Sequence, residues 1–261
     1  MIKSNNKIAI SVIIEYYYIM NKTILSKCFN AENTTLNKQK KFWTEIKSKI
    51  FYQLIKQFLP KNVFDFGCGS GIFLHQLAKT FKKTKFYGFD INKNRVEFIK
   101  NNFKYKNLKI RHLDIINDKM PKQKADLIIL SDVIEHIIPK KISKLKSAIS
   151  SSLNSKGILI IKTPNPYSFR NMFYYLFNRN LYKRKQILKP DQHKKLYSKK
   201  EVLRQFNNYE LIEIIPFGFD FPGDGIIGKY SDFFEKMKYY LKFHIVFKFF
   251  SASYFYVFKK N

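Results

Sequence analysis

Between Val63 and Gly71 the chain reads Val-Phe-Asp-Phe-Gly-Cys-Gly-Ser-Gly, an apolar run that closes on three glycines at alternate positions. The apolar part, Asn62–Phe66, has the composition of a strand, and the amphipathic stretch Ile72–Lys82 that of a helix. Glycines at such a turn let the backbone adopt conformations that a Cβ forbids and let a ligand approach the main chain closely. The next strand, Lys85–Asp90, ends on a carboxylate nineteen residues past Gly71. A carboxylate at that place can accept two hydrogen bonds from a ribose diol. The dinucleotide fingerprint G-x-G-x-x-G/A would require Gly or Ala at position 72, where this chain has Ile72. A pyrophosphate loop is therefore disfavoured, and the repeat to explain is D-x-G-x-G-x-G, from Asp65 to Gly71.

A second group of chemically capable residues is Asp132, Glu135 and His136, spaced to share one face if the segment is helical. The pattern D-x-x-E reads as a capping box, with Asp132 as N-cap and Glu135 reaching back. The same residues could instead ligate a divalent cation, or His136 could act directly as a base, since imidazole titrates near neutrality. Further on, His193 stands in Asp-Gln-His-Lys-Lys-Leu-Tyr-Ser, followed by Ser198-x-x-Glu201, a second capping box that should start a helix. His75, His112 and His244 carry no motif and receive no role.

Strands and helices must alternate to position these groups. After Asn62–Phe66, Ile72–Lys82 and Lys85–Asp90 come a helix over Lys93–Phe103 and strands over Leu108–Leu113 and Ala125–Leu130. A helix is expected over Asp132–Ser151, with Pro139 marking a break or new first turn, and then a strand over Gly157–Lys162. Such βαβ alternation implies an α/β fold with a doubly wound, mostly parallel sheet. Two later strands, Tyr209–Ile215 and Tyr254–Phe258, could close one edge as an antiparallel pair, which brings the count to seven. Residues 1–60 read as an N-terminal helical segment packing on the core, ending in an amphipathic stretch from Lys41 to Phe58 that Pro60 stops. Residues 61–261 form the main domain, with aromatic-rich insertions at about 167–190 and 223–250.

The Asp65-to-Gly71 repeat followed by Asp90 resembles motif I and the ribose-binding acid of class I S-adenosylmethionine-dependent methyltransferases. The resemblance covers about a hundred residues and implies a Rossmann-like fold and S-adenosylmethionine as cofactor. On it, Asp65, Gly67, Cys68, Gly69 and Gly71 would wrap the amino-acid half of the cofactor and Asp90 would bind its ribose. Ile91 would pack on the adenine, Asp114 and Ile115 would border the adenine edge, and Ser131 and Asp132 would face the methyl donor. Thr163-Pro164-Asn165-Pro166 is similar to a segment of small-molecule members, and the stretch from His193 to Ser198 to one bordering the substrate cavity. The Asp132–His136 segment is similar to the E-x-x-E-H cation site of ubiquinone-biosynthesis O-methyltransferases. Here Asp replaces the first Glu, so the expectation is a cap without a metal, with His136 and His193 as catalytic bases.

Composition bounds the partners. The formal net charge of the 261 residues is +30, and lysine supplies all but six of the 49 basic side chains. Such a field draws polyanions or anionic membrane without specifying a fold. Two cysteines, Cys28 and Cys68, are too few for a disulfide framework, which suits a reducing compartment. The apolar run from Ile8 to Met20 holds Glu15 and lacks a small-residue cleavage site, so a cytoplasmic location is expected, possibly peripheral at the membrane. An exocyclic-amine methylase would carry [N/D]-P-P-[Y/F] where this chain has Ser131-Asp132-Val133-Ile134, and neither cysteine is placed to attack a pyrimidine. The expected acceptor is a small molecule, glycan or lipid-like compound, methylated at oxygen. RNA, as substrate or as partner of an inactive relative, is the alternative. The basic and aromatic segment Tyr167–Pro190 suits either a cap over the site or contact with anionic lipid.

Overall fold

The computed structural model describes residues 38–177, 193–218 and 251–261. The run from Ile8 to Met20 and most of both aromatic insertions lie outside them. A helix, α1 (Lys38–Phe58), leads into β1 (Asn62–Phe66), α2 (Ile72–Thr80), β2 (Lys85–Asp90), α3 (Lys93–Asn102), β3 (Leu108–His112) and β4 (Ala125–Ser131). Two 3-10 turns, Ile134–His136 and Pro139–Lys141, precede α4 (Ile142–Ser152) and β5 (Leu153–Pro164). The remainder is α5 (Phe169–Phe177), α6 (Lys199–Gln205), β6 (Tyr209–Phe217) and β7 (Ser253–Lys260).

The seven strands form one sheet in the order β3-β2-β1-β4-β5-β7-β6. The first five are parallel, while β7 runs antiparallel to both β5 and β6. The doubly wound sheet with an antiparallel edge is the architecture that the alternation of elements implies.

Side-chain alternation assigns each strand two faces, because successive residues point to opposite sides. Phe64, Ile128, Leu130, Tyr256 and Phe258 pack on one face with Leu145 and Ile149 of α4 and Val202 of α6. Val63, Leu127, Ile129, Phe255 and Val257 pack on the other with α1, α2 and α3. Phe51 anchors α1 there: its ring stacks on Phe73 at 4.9 Å and meets the edge of Phe255 at 5.3 Å. Burying one such ring is worth roughly 1.5–3 kcal/mol. The helix ends where expected, two residues short of Pro60, with Leu59 in the left-handed region at φ 47°.

The segment after β4 departs from expectation. A continuous helix over Asp132–Ser151 does not form; two 3-10 turns replace its first half, and Pro139 opens the second of them. Pro139 removes an N–H that a continuous helix would need, so the chain restarts there.

His75 on α2 is buried, its ring stacked 4.2 Å from Phe103, and its Nδ1 has no partner among the described residues. Burial, with Lys79 adding repulsion, pulls its pKa down to about 4 from 6.5. The folded protein therefore keeps His75 neutral while the unfolded chain takes up a proton below pH 6.5. Stability should fall as pH drops from 6.5 to about 4, by up to about 3 kcal/mol from this residue. Urea titrations of His75→Phe against the parent should show that part of the pH dependence gone; parallel curves would contradict it.

Candidate active site

The strand order reverses between β1 and β4, so the loops leaving their carboxyl ends diverge and open a crevice. The glycine loop lies there. Gly67, Gly69 and Gly71 have φ of 76°, 58° and 69°, a region that side chains other than hydrogen rarely enter. A Cβ on Gly67 would stand 2.7 Å from Val133 Cγ2, and one on Gly71 2.9 Å from Ile99 Cδ1. Among the described residues, a Cβ on Gly69 would meet nothing within 4 Å. Two of the glycines are thus closed against protein, while Gly69 is open among the described residues.

The loop is tied to β2. The N–H groups of Gly67 and Cys68 both donate to the Phe89 carbonyl, at 2.8 and 3.0 Å. Gly69 N–H donates to Asp90 Oδ2 at 2.8 Å, and Asn92 N–H to Oδ1 at 2.8 Å. Two main-chain donors therefore orient the buried Asp90 carboxylate, and each oxygen keeps a further lone pair. Ile91 follows at 65% exposure, an apolar side chain left at the rim. His112 Nε2 lies 2.9 Å from the Ile91 carbonyl oxygen and steadies that turn.

The other expected cofactor residues divide. Cys68 is buried, its Sγ against Gly88, and burial pushes its thiol pKa up, so only its main chain faces the loop. Asp114 accepts from Ile116 N–H at 2.8 Å and from the Asn117 amide at 2.6 Å. These bonds outweigh partial burial and hold its carboxyl below the usual range. Ile115 is part of the core. Asp65 is fully buried beneath the loop, and among the described residues neither carboxylate oxygen has a hydrogen-bond partner. Burial pushes its pKa up to about 8, with Lys47 opposing and Asp90 adding to the rise.

The capping reading of Asp132 and Glu135 is overturned. Asp132 has a left-handed φ of 59°, and the turn that follows has no side-chain cap. The Asp132 carboxylate instead bonds Lys162 Nζ of β5 and lies 3.8 Å from Lys47 Nζ of α1. Burial opposes its ionisation, but Lys162 and then Lys47 keep it below the ordinary carboxylate range. Glu135 is buried and accepts a bond from Thr163 Oγ1 at 3.1 Å, while its Oε1 has no partner among the described residues. Burial, reinforced by Asp132, raises its pKa to about 7. The continuous helix that would have set the three side chains on one face does not form.

Glu135 has another task. Its backbone carbonyl accepts from Lys194 N–H at 2.7 Å and Lys195 N–H at 3.1 Å. This docks the 193–195 segment on the turn and brings the His193 ring to 5.1 Å from that of His136. Partial burial, followed by the neighbouring His193 ring, lowers the pKa of His136. Ligand-type atoms of Glu135, His136 and His193 lie within 4.8 Å of one another, a spacing that could hold a metal ion. The set differs from the Asp132, Glu135 and His136 set expected of a cation site. The second capping box forms as read: Ser198 Oγ accepts from Glu201 N–H and Glu201 reaches back to Ser198 N–H, starting α6.

Sequence reading missed Lys47 and Lys162. Lys162 left a trace, a lone charge closing the apolar run Ile158–Ile161; Lys47 left none, being one of many lysines on an amphipathic helix.

A methyltransferase-domain family model matches residues 37–212, more than half of the chain. The chain belongs to this methyltransferase-domain family. A carboxy-S-adenosyl-L-methionine synthase of Campylobacter jejuni is 33% identical over 110 residues, 41% of this chain and 47% of that protein. The chain spans less than half the length of the curated relatives it matches. Among solved structures, a magnesium protoporphyrin IX methyltransferase from Synechocystis PCC 6803 with bound SAH aligns at TM-score 0.58 and 15% identity, over 96% of this chain and 99% of that one. A SAM-dependent methyltransferase from Archaeoglobus fulgidus aligns at TM-score 0.55 and 21% identity, over 83% and 94%. These structural likenesses are of fold: the class I methyltransferase sheet.

The loop geometry separates two glycines by mechanism. Gly69→Ala should fold and lose about 1 kcal/mol, the cost of a left-handed alanine. Gly71→Ala should lose more, because Ile99 must also move away from a contact of 2.9 Å. Urea denaturation of the two variants checks the order; equal losses would contradict it.

Proposed function

We propose that the protein binds S-adenosylmethionine and transfers its methyl group to a small-molecule, glycan or lipid-like acceptor, at oxygen. The observation that carries this reading is Gly69, open to space on its Cα side and bonded through its N–H to Asp90. A ligand can lie against that backbone while its ribose meets the remaining lone pairs of Asp90. The relatives support the ligand class. One is named for making a carboxylated S-adenosylmethionine, and another was solved with bound SAH.

Methyl transfer from a sulfonium is a direct displacement in which the carbon–sulfur bond breaks with its electron pair left on sulfur. Alignment in a dry pocket can supply roughly 7–11 kcal/mol. A hydroxyl acceptor must also lose a proton, and His136, kept neutral by partial burial and by His193 beside it, is suited to take it. We assign both histidines to that task, Ser131 to the donor's side of the crevice, and Glu135 to holding them together.

The 9-residue helix α5 presents Tyr175, Leu176 and Phe177 to solvent, which supports an acceptor or surface of apolar character. No helix among the described residues is long and apolar enough to cross a membrane. With two cysteines and a charge of +30, we place the protein in the cytoplasm, in peripheral contact with anionic lipid.

Calorimetry should show binding of S-adenosylmethionine and S-adenosylhomocysteine to the wild-type protein, weakened about 10–100-fold by Asp90→Ala. His136→Ala and His193→Ala should keep that affinity and lose turnover on a hydroxyl acceptor. Because the histidines act as bases in this reading, EDTA should leave the rate unchanged. A loss restored by magnesium would replace the base role with cation binding through Glu135, His136 and His193. Absence of binding by folded protein would remove the proposal.

A further inference from the structure

A second cleft opens at the end of the sheet opposite the glycine loop, between the end of α1 and strands β5, β6 and β7. The β4–β5 register passes from Ala125 opposite Leu153 to Leu127 opposite Ile158, so residues 154–157 loop out against Asp126 alone. The cleft behind that loop has a volume of about 370 Å³. Small-molecule sites span roughly 300–1,000 Å³. Its apolar wall is made by Phe58 at the end of α1, Pro60 after it, Ile158 of β5 and Ile212 of β6. Ile212 sits where the β6–β7 register shifts between Leu211 and Glu213, and it is 40% exposed. Lys259 continues the α1 face of β7 two residues beyond the buried Val257, which brings its stem to the same cleft.

The charged groups of the lining are used unequally. Asp126 is committed to the protein: its Oδ2 accepts from the N–H groups of Lys61 and Asn62 at 3.0 and 2.9 Å, and its Oδ1 from the Asn154 amide at 2.7 Å. Lys260, next along β7, donates to the Ser150 and Leu153 carbonyls and so closes the end of α4. Lys156 and Lys259 have neither an ion pair nor a hydrogen bond among the described residues, although Glu210 stands across from Lys259 in the β6–β7 register. Lys156 is also held at a left-handed φ of 59°, which costs a residue that carries a Cβ. The neighbouring Gly157 is required by packing, since a Cβ there would stand 2.7 Å from Leu153 Cδ1. The turn alone would favour glycine at 156 too, so backbone geometry does not account for the lysine. We propose that this cleft binds an amphiphilic organic anion, its apolar body against Phe58, Ile158 and Ile212 and its carboxylate at the Lys156 and Lys259 ammonium groups. Exposed ammonium groups hold a carboxylate weakly by themselves. Affinity therefore comes from the buried apolar body, and selection for an anion from the two lysines. The site is separate from the crevice at the glycine loop: Asp126 and Ser131 lie toward opposite ends of β4, roughly 17 Å apart at about 3.3 Å per residue.

The test titrates isotope-labelled full-length protein with octanoate, followed by NMR, with octanol as the uncharged control. Octanoate should move the amide signals of Gly157 and Ile212 and leave those of Gly69 and Asp90 in place. Lys156→Gly and Lys259→Gln should each weaken octanoate about threefold or more, and the double variant about tenfold, while octanol binding stays as in the wild type. Ile212→Ser should weaken both ligands. Lys156→Gly is the deciding variant, because glycine suits the left-handed turn and should raise resistance to urea while octanoate affinity falls. Octanoate affinity unchanged in Lys156→Gly and Lys259→Gln would overturn the proposal. So would shifts that fall at the Gly69–Asp90 corner or on α5 with Gly157 and Ile212 unmoved, or the absence of any octanoate binding by folded wild-type protein.

Discussion

Asp90 closes β2 with both carboxylate oxygens engaged by main-chain donors, Oδ2 by Gly69 and Oδ1 by Asn92. That double anchor sets the shape of the crevice. It draws the glycine loop toward the end of the neighbouring strand and orients the carboxylate without a flexible side-chain partner. The loop that carries this N–H turns through left-handed φ at Gly67, Gly69 and Gly71. Val133 and Ile99 close the loop from either side, so a side chain at Gly67 or Gly71 would push it off its anchor.

What was legible in the sequence was local in the chain or repeated with a period. The strand-loop-helix unit around Gly67, the acid at Asp90 and the capping box at Ser198 each lie within a short stretch whose chemistry is self-contained. The strands could be read because sheet faces alternate; Phe64 and Val63 serve opposite cores as the pattern requires. The segment after β4 was misread for a physical reason. D-x-x-E satisfies a cap only if a helix follows, and Pro139 breaks the chain into 3-10 turns instead. Asp132 was then free to turn toward Lys162 and Lys47, which come from β5 and α1, and no local pattern announces partners so distant in the chain.

The site is therefore assembled from two kinds of part. The donor side that we propose is built from strand ends and inherits its precision from the parallel sheet. The acceptor side that we propose depends on a backbone contact, the Glu135 carbonyl receiving Lys194 and Lys195, which brings His193 to His136 across a long span of chain. Such contacts leave no residue-type signature, because any residue offers a carbonyl. The overall charge of +30 adds a long-range attraction for anions.

The central claim is that the Gly69–Asp90 corner holds the nucleoside of S-adenosylmethionine. A crystal structure of the protein grown with S-adenosylhomocysteine addresses it directly. The ribose hydroxyls should lie within hydrogen-bond distance of Asp90, the adenine against Ile91 and the thioether over the glycine loop. A nucleoside bound elsewhere, with the Gly69–Asp90 corner empty and unchanged, would contradict it.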